Sequence, residues 1–303
     1  MRMTKIRVFV VVAILCSVWA GPGWAQALRV VGFNVESGGA HPDVVDDLIR
    51  AAQGVDLWGF SEVQDNTWGL LFEQAAEDGE AADFQRILGT TGGGNRLLIV
   101  YNGDRLDLVS QFELTAINIE GRVRAPLVAR FRLKPAGPEL LFMVNHLYRG
   151  NADGRHEQAR LLNAWAREQT IPVIAVADYN FDWDVTTGDA VHDLGYDLLT
   201  VDGIFTWIRP PQLIRTQCSF NSVLDFIFVA GEAQRWRGSS EILAAHEDYC
   251  PSDQTRSDHR PVFALFQLSD DGQPNARQLL LMRIQWMEEE LSALKLLVEQ
   301  MPQ

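Results

Sequence analysis

The chain has 303 residues and a formal net charge of −14. A surface of that sign repels polyanions over the roughly 10 Å that ordinary salt leaves unscreened. This disfavours tight nucleic-acid binding without excluding a nuclease, and any phosphate would have to be met by a local cluster of metal and arginine.

The first segment reads as a leader. Arg2, Lys5 and Arg7 precede an apolar run from Val8 to Val18, followed by Gly21-Pro22-Gly23 and then Ala25-Gln26-Ala27. A charged start, a short apolar run and an A-x-A site predict a secretory signal peptide over residues 1–27. The run falls short of the about 20 apolar residues that a spanning helix needs. Cys16 follows Leu15 rather than a small residue, which argues against a lipoprotein anchor. Removal leaves about 275 residues, enough for one large domain or two small ones, with no transmembrane segment expected. The expected location is outside the cytoplasm, periplasmic or secreted. Cys218 and Cys250 survive processing, and in an exported protein an even count favours a disulfide over two buried thiols.

Along the rest of the chain, "LRVVGFNV" (28–35) alternates as a strand, and "HPDVVDDLIRAA" (41–52) puts Val44, Val45, Leu48 and Ile49 on one helical face. "DLWGFSEV" (56–63) is a short apolar strand ending in an acid, followed by a helix over 66–81. "GTTGGGN" (89–95) lacks the Lys-Ser/Thr ending and the strand-to-helix context of a phosphate cradle and reads as a flexible loop. "RLLIVYN" and "LDLVSQFEL" read as strands paired through an Asn102-Gly103 hairpin turn. "PLVARFRL" and "ELLFMVNHL" are strands broken by Pro135-Ala136-Gly137-Pro138. "HEQARLLNAWARE" is an amphipathic helix, "PVIAVADYN" a buried strand with a polar end, and "VLDFIFVAG" and "PVFALFQL" the last two strands.

Strands with interspersed helices and a hairpin-rich middle indicate an α/β chain of the α+β type, with mixed sheets packed face to face under helices. "SDDGQPNA" (269–276) is a linker by composition. Beyond it, Leu280, Ile284, Met287, Leu291, Leu294, Val298 and Met301 are spaced alternately four and three apart. Residues 277–303 therefore read as a C-terminal amphipathic helix. It is either a coiled coil that would join copies of the chain into a homo-oligomer, or a helix lying on its own domain. Leu281, Trp286 and Leu297 widen its apolar surface beyond a narrow seam.

The chemistry-bearing residues terminate apolar strands: Asn34 in "GFNVES", Glu62 in "GFSEV", Asn145-His146 in "FMVNHL", Asp178 and Asn180 in "VADYN", Asp225 in "VLDFIF" and Asp258-His259 in "SDHRPV". Singly, each is an ordinary turn, cap or satisfied structural residue. Jointly, six strands deliver carboxylates, amides and imidazoles, and packed sheets gather such ends at one rim. Carboxylate and amide oxygens suit a hard cation such as Mg²⁺. No cysteine cluster or paired-imidazole helix suggests zinc.

In this order the segments resemble the endonuclease/exonuclease/phosphatase superfamily over about Leu28 to Leu268, residues 28–268 forming the domain. The resemblance implies a four-layer α/β/β/α sandwich of two mixed sheets. It implies Glu62 as principal metal carboxylate, with Asn34 nearby and Asp258 completing the metal side. Asp178 and Asn180 would position the attacking water and a phosphate oxygen. His146 and His259 would flank the phosphate, and Asp225 would fix the tautomer of His259. Arg124, in "RVRAPLVARF", matches an arginine that would contact substrate phosphate. Trp207 matches a Thr-Trp pair and reads as structural; His41, His156, His192 and His246 match nothing. Ser61 stands where a glutamine is frequent, and Glu36 occupies a variable position.

The implied function is an exported, Mg²⁺-dependent phosphoric ester hydrolase (Mn²⁺ and Ca²⁺ being alternatives) that cleaves phosphodiesters, nuclease-like, by in-line attack of an activated water. Either Asp178 or His259 with Asp225 would be the base. A phospholipid phosphodiesterase or a small-molecule phosphomonoesterase would share the same rim, so the substrate partner is a nucleic acid, a phospholipid or a small phosphate ester. The contrasting class is an inactive binding or assembly module that recruits partners through its C-terminal helix. If Asp225 meets His259, a Cys218–Cys250 bridge would tie together the loops beside the site.

Overall fold

A computed structural model gives the fold and describes residues 27–245, 249–250 and 255–268. Residues 1–26 of the leader expected over 1–27, the linker and the C-terminal helix lie outside the described residues, and Ala27 opens the first strand. The elements are β1 (Ala27–Asn34), α1 (Pro42–Ala51), β2 (Leu57–Val63), α2 (Asn66–Glu80), β3 (Phe84–Leu88), β4 (Arg96–Asn102), β5 (Leu106–Glu113), β6 (Leu127–Leu133), β7 (Glu139–His146) and α3 (Ala152–Arg167). They continue with β8 (Val173–Asp184), α4 (Leu194–Thr200), β9 (Phe205–Trp207), β10 (Ser222–Ala230), β11 (Arg237–Ile242) and β12 (Val262–Gln267).

Local chemistry sets the helix starts. Pro42 opens α1 at a position with no intrahelical N–H partner to lose. The Asp65 carboxylate accepts from the Thr67 and Trp68 amides at 2.8 and 3.2 Å, capping α2. Asn151 caps α3 through the Gly154 amide, and Asp193 caps α4 through that of Gly195.

The strands form two six-stranded mixed sheets, ordered β11-β12-β1-β2-β4-β3 and β5-β6-β7-β8-β10-β9. Only β1–β2 and β7–β8 pair in parallel among the described strands, and each pair is joined through one helix, α1 or α3. Alternation decides which face goes where. Leu28, Val30, Leu57, Ile99 and Tyr101 join the core between the sheets, with Phe142 and Val176 opposite. Val31, Phe33, Trp58, Phe60 and Val100 face the other way and pack with Val45, Ile49 and Phe72 of α1 and α2. Ala159, Leu162, Ala166 and Leu199 of α3 and α4 cover the second sheet. The result is the four-layer α/β/β/α sandwich.

The sheets approach most closely at two glycines. A Cβ on Gly32 would stand 3.0 Å from Val176 Cβ, and one on Gly59 would meet Val144 Cγ2 at 2.8 Å and Val176 nearer still. Gly59→Ala is expected to cost about 1–3 kcal/mol through overpacking. It would appear as a lower urea midpoint at unchanged slope.

The expected β4–β5 hairpin does not form. β4 is flanked on both edges by β2 and β3, so no edge remains for β5, which pairs with β6 in the other sheet. The Asn102-Gly103 turn instead carries the chain between sheets. The Asn102 side chain accepts from the Asp104 and Arg105 amides, and Arg105 reaches across to Asp56 and to the Ala27 carbonyl.

Candidate active site

The two parallel pairs direct their C-terminal ends to one rim, and the antiparallel β10 and β12 bring their N-terminal ends to the same place. In register, Asp178 of β8 lies between His146 of β7 and Asp225 of β10. Asn34 ends β1 in the other sheet. Its Nδ2 donates to Asp178 Oδ2 at 3.0 Å and to Glu62 Oε1 at 3.2 Å, joining the sheets. His146 Nε2 stands 3.6 Å from Asp178 and 3.7 Å from Glu62, and His259 Nε2 stands 3.8 Å from Asp178. The Asn180 amide donates to Asp178 Oδ1 at 3.0 Å, while its side chain donates to the Leu147 carbonyl. The rim thus brings together all eight residues expected in metal and catalytic roles.

Burial sorts their protonation. Asp178 is 2% exposed. Burial pushes its carboxyl up to about 7, opposed by the positive charge of His259 and aided by Asp225. Burial alone would lower His259. Asp225, accepting from its Nδ1 at 2.8 Å, outweighs burial together with Asp178 and Asp258 and raises the imidazole to about 10. His146 goes the other way. Burial, together with the positive charges of Arg124, His259 and Arg149, holds it well below the ordinary histidine value. One imidazole is therefore an imidazolium held by Asp225, and its neighbour is neutral.

The open side of Asp178 is acidic. Glu62 adopts a left-handed backbone at φ 61°, a conformation that side chains hold only where the surroundings impose it. Glu36, also left-handed at φ 45°, donates its amide to Asn34 Oδ1 and accepts the Asp258 amide at 2.8 Å. Burial raises the Glu36 carboxyl, and the negative charges of Asp258 and Glu62 raise it further. Asp258 Oδ2 accepts from Gln217 Nε2 at 2.5 Å, whereas its buried Oδ1 finds no hydrogen-bond partner among the described residues. Glu36 feels the negative charges of both Asp258 and Glu62, and carboxylate oxygens are the donors that a hard divalent cation takes. Ligand atoms of Asp178, Asp225 and His259 also lie within 4.8 Å of one another. His259 Nδ1 is already engaged by Asp225 at 2.8 Å, so Glu62 and Asp258, with Glu36 beside them, remain the candidate carboxylates for a metal. Asn34 orients Glu62, its amide nitrogen being committed to the Glu62 and Asp178 carboxylates.

Arg124 is half-buried, and its Nε is buried without a partner among the described residues. Burial lowers its pKa, while Glu62 and Asp178 favour its charge. The following Ala125 amide donates to Thr91 Oγ1 at 2.9 Å. Thr90 and Thr91 are in turn fixed by the Glu113 carboxylate, which accepts their amides at 3.0 and 3.2 Å. The glycine-rich loop expected to be flexible is therefore anchored at its start, beside the site.

Cys218 and Cys250 form a disulfide with Cα atoms 5.5 Å apart. The Cys218 amide donates to the Asp258 carbonyl at 2.8 Å, the Arg260 amide to the Thr216 carbonyl at 2.7 Å, and the Tyr249 hydroxyl to the His259 carbonyl at 2.6 Å. Thr216 Oγ1 accepts from the Leu224 and Asp225 amides, and Ser257 Oγ donates to the Asn34 carbonyl. Arg260 donates to the Ala244 and Arg215 carbonyls and lies over Tyr249. Thr216, Gln217, Tyr249 and Ser257 went unrecognised in the sequence, where only the polar run "TQC" and the serine before "DHR" hint at them. Trp207 packs with Trp183 and Phe226, His156 binds Asp193, His192 stacks on Trp183, and His41 faces Asp43. His246 lies outside the described residues.

No family model and no curated protein matches the sequence. Solved structures do match. An endonuclease/exonuclease/phosphatase family protein from Bacteroides thetaiotaomicron is 19% identical at a TM-score of 0.60, covering 80% of this chain and 97% of its own. A mannosyl-6-phosphatase from the same organism is 20% identical at 0.56, covering 78% and 98%. D. rerio TDP2 complexed with a single-strand DNA product is 16% identical at 0.57, covering 80% and 99%. The chain has the endonuclease/exonuclease/phosphatase fold.

Proposed function

We propose that the protein is an exported, divalent-cation-dependent phosphoester hydrolase, acting on phosphodiesters. The observation that carries the reading is the joint placement of a carboxylate near neutrality, Asp178, between a neutral His146 and an imidazolium His259, with three further carboxylates alongside. An inert assembly module has no use for that arrangement, which takes charged groups out of water at a cost. Export rests on the leader-like first segment and agrees with the disulfide.

Each group has a task set by its surroundings. A bound Mg²⁺ would neutralise charge on the phosphoryl group; Glu62 and Asp258 would hold it, with Glu36 beside them and Asn34 orienting Glu62. Arg124, His146 and Asn180 would meet the phosphoryl oxygens. Asp178 takes the proton of the attacking water. Asp225 and Asp178 favour the protonated form of His259, so its proposed task is to donate a hydrogen bond to charge developing on phosphate. Asp225 keeps it charged and oriented.

Turnover of bis-p-nitrophenyl phosphate with Mg²⁺, abolished by EDTA and restored by added cation, tests the reading, with p-nitrophenyl phosphate as the monoester arm. No turnover of either ester with Mg²⁺, Mn²⁺ or Ca²⁺ would sink it. The pH profile of kcat/KM is expected to be a bell. It rises through about 7 as Asp178 loses its proton and falls as His259 is deprotonated near 10. For stability, the His259 contribution is complete below its unfolded value of 6.5 and is lost as pH climbs through about 10.

A further inference from the structure

Two residues outside the catalytic set meet at the rim. Arg149 follows His146 by three positions, on the loop from β7 to α3, and is exposed. Phe220 lies on the loop before β10 and is 39% exposed, an uncommon position for a phenyl ring. The Arg149 guanidinium sits 5.4 Å from the centre of the Phe220 ring. β7 and β10 flank β8, so this contact passes over the strand that carries Asp178.

Both partners are wired to the catalytic groups. The Phe220 amide donates to Gln217 Oε1 at 3.0 Å, and the other end of that amide, Nε2, donates to Asp258 at 2.5 Å. The Ser219 amide shares Gln217 Oε1 at 2.6 Å, and the disulfide anchors Cys218 beside them. The Phe220 backbone is thus tied through Gln217 to Asp258, and its ring stands exposed beside the rim. The positive charge of Arg149 is felt by His146 and adds to the pull on an anion.

We propose that Arg149 and Phe220 determine specificity: they receive an aromatic ring carried by the phosphoester, a nucleobase or an aryl group, beside the phosphate. The inference rests on the phosphoester reading of the rim. An exposed cation–π contact is weak enough to yield to a substrate ring, which stacks on Phe220 while Arg149 turns to the phosphate or covers the ring's other face. A phosphoester without a ring leaves this platform unused. Arg149 is needed for charge as well as stacking, so its effect extends to every phosphate ligand, whereas that of Phe220 is confined to ligands with a ring.

The test is calorimetric binding, with Mg²⁺ present, of methylphosphonate, phenylphosphonate and thymidine 5′-phosphonate, which lack a scissile ester link. The wild type is expected to bind at least one ring-bearing ligand about tenfold or more tightly than methylphosphonate. Preference for the thymidine compound alone assigns a nucleobase; equal preference for both assigns any aryl group. Phe220→Ala should erase the preference and Phe220→Trp should keep it, while Arg149→Ala weakens all three. No ring preference in the wild type, or one unchanged in Phe220→Ala, would overturn the proposal. Binding and turnover fail independently: a ring preference without hydrolysis of bis-p-nitrophenyl phosphate would sink the hydrolase reading and leave the platform standing.

Discussion

Asp178→Ala is expected to lower kcat by about 10²–10⁴-fold, the usual contribution of a positioned general base. The loss has a physical origin in one oxygen. Asp178 Oδ2 accepts from Asn34 of the other sheet and lies within 4 Å of both imidazoles, so no neighbouring group can take its place. Burial has already raised this carboxyl to about 7, which fits it to accept a proton from water near neutral pH. The companion variant Asp225→Asn removes the charge that offsets burial of His259. Its alkaline limb should move down from about 10 toward neutrality, a shift that mere loss of packing would not produce. Should Asp178→Ala retain wild-type kcat, the assignment of the base is wrong.

Reducing the Cys218–Cys250 bond is expected to destabilise the fold by about 3–4 kcal/mol. The bond closes a loop of 32 residues, and freeing a loop of that length returns the corresponding entropy to the unfolded chain. For a domain of this size the thermal midpoint should fall by roughly 7–15 °C, measured by calorimetry with and without reductant. The same loops carry Asp225 and Asp258-His259, and the Cys218 amide holds the Asp258 carbonyl. Activity should therefore decline at temperatures where the rest of the fold persists. An unchanged midpoint in the reduced protein would show that Thr216, Tyr249 and Ser257 clamp these loops unaided.

Much of this was legible in the residues because the strands that carry the site are apolar runs. β1, β2, β7, β8, β10 and β12 each announce themselves by an apolar run with a polar end, and that polar end is the functional group. The elements that escaped notice, β3, β9, β11 and α4, are short or sit at sheet edges, where half-exposed residues blur the alternation. The Asn102-Gly103 turn misled for another reason. A turn's local chemistry fixes the reversal of the chain but not the partner of the next strand, and β3 had already taken the free edge. Glu36 and Gln217 were underrated because their importance comes from what they touch, Asp258 in both cases, and that contact spans 222 residues for one and 41 for the other.

β12 is both the last described strand and an interior one, lying between β11 and β1. A chain synthesised from its N-terminus therefore leaves the first sheet split until β12 arrives, with Asp258 and His259 just ahead of it. Every nascent chain that stops before β12 lacks the strand that joins β11 to β1, and Asp258 and His259 are made only just ahead of that strand. Completion of the rim and completion of the scaffold consequently occur together.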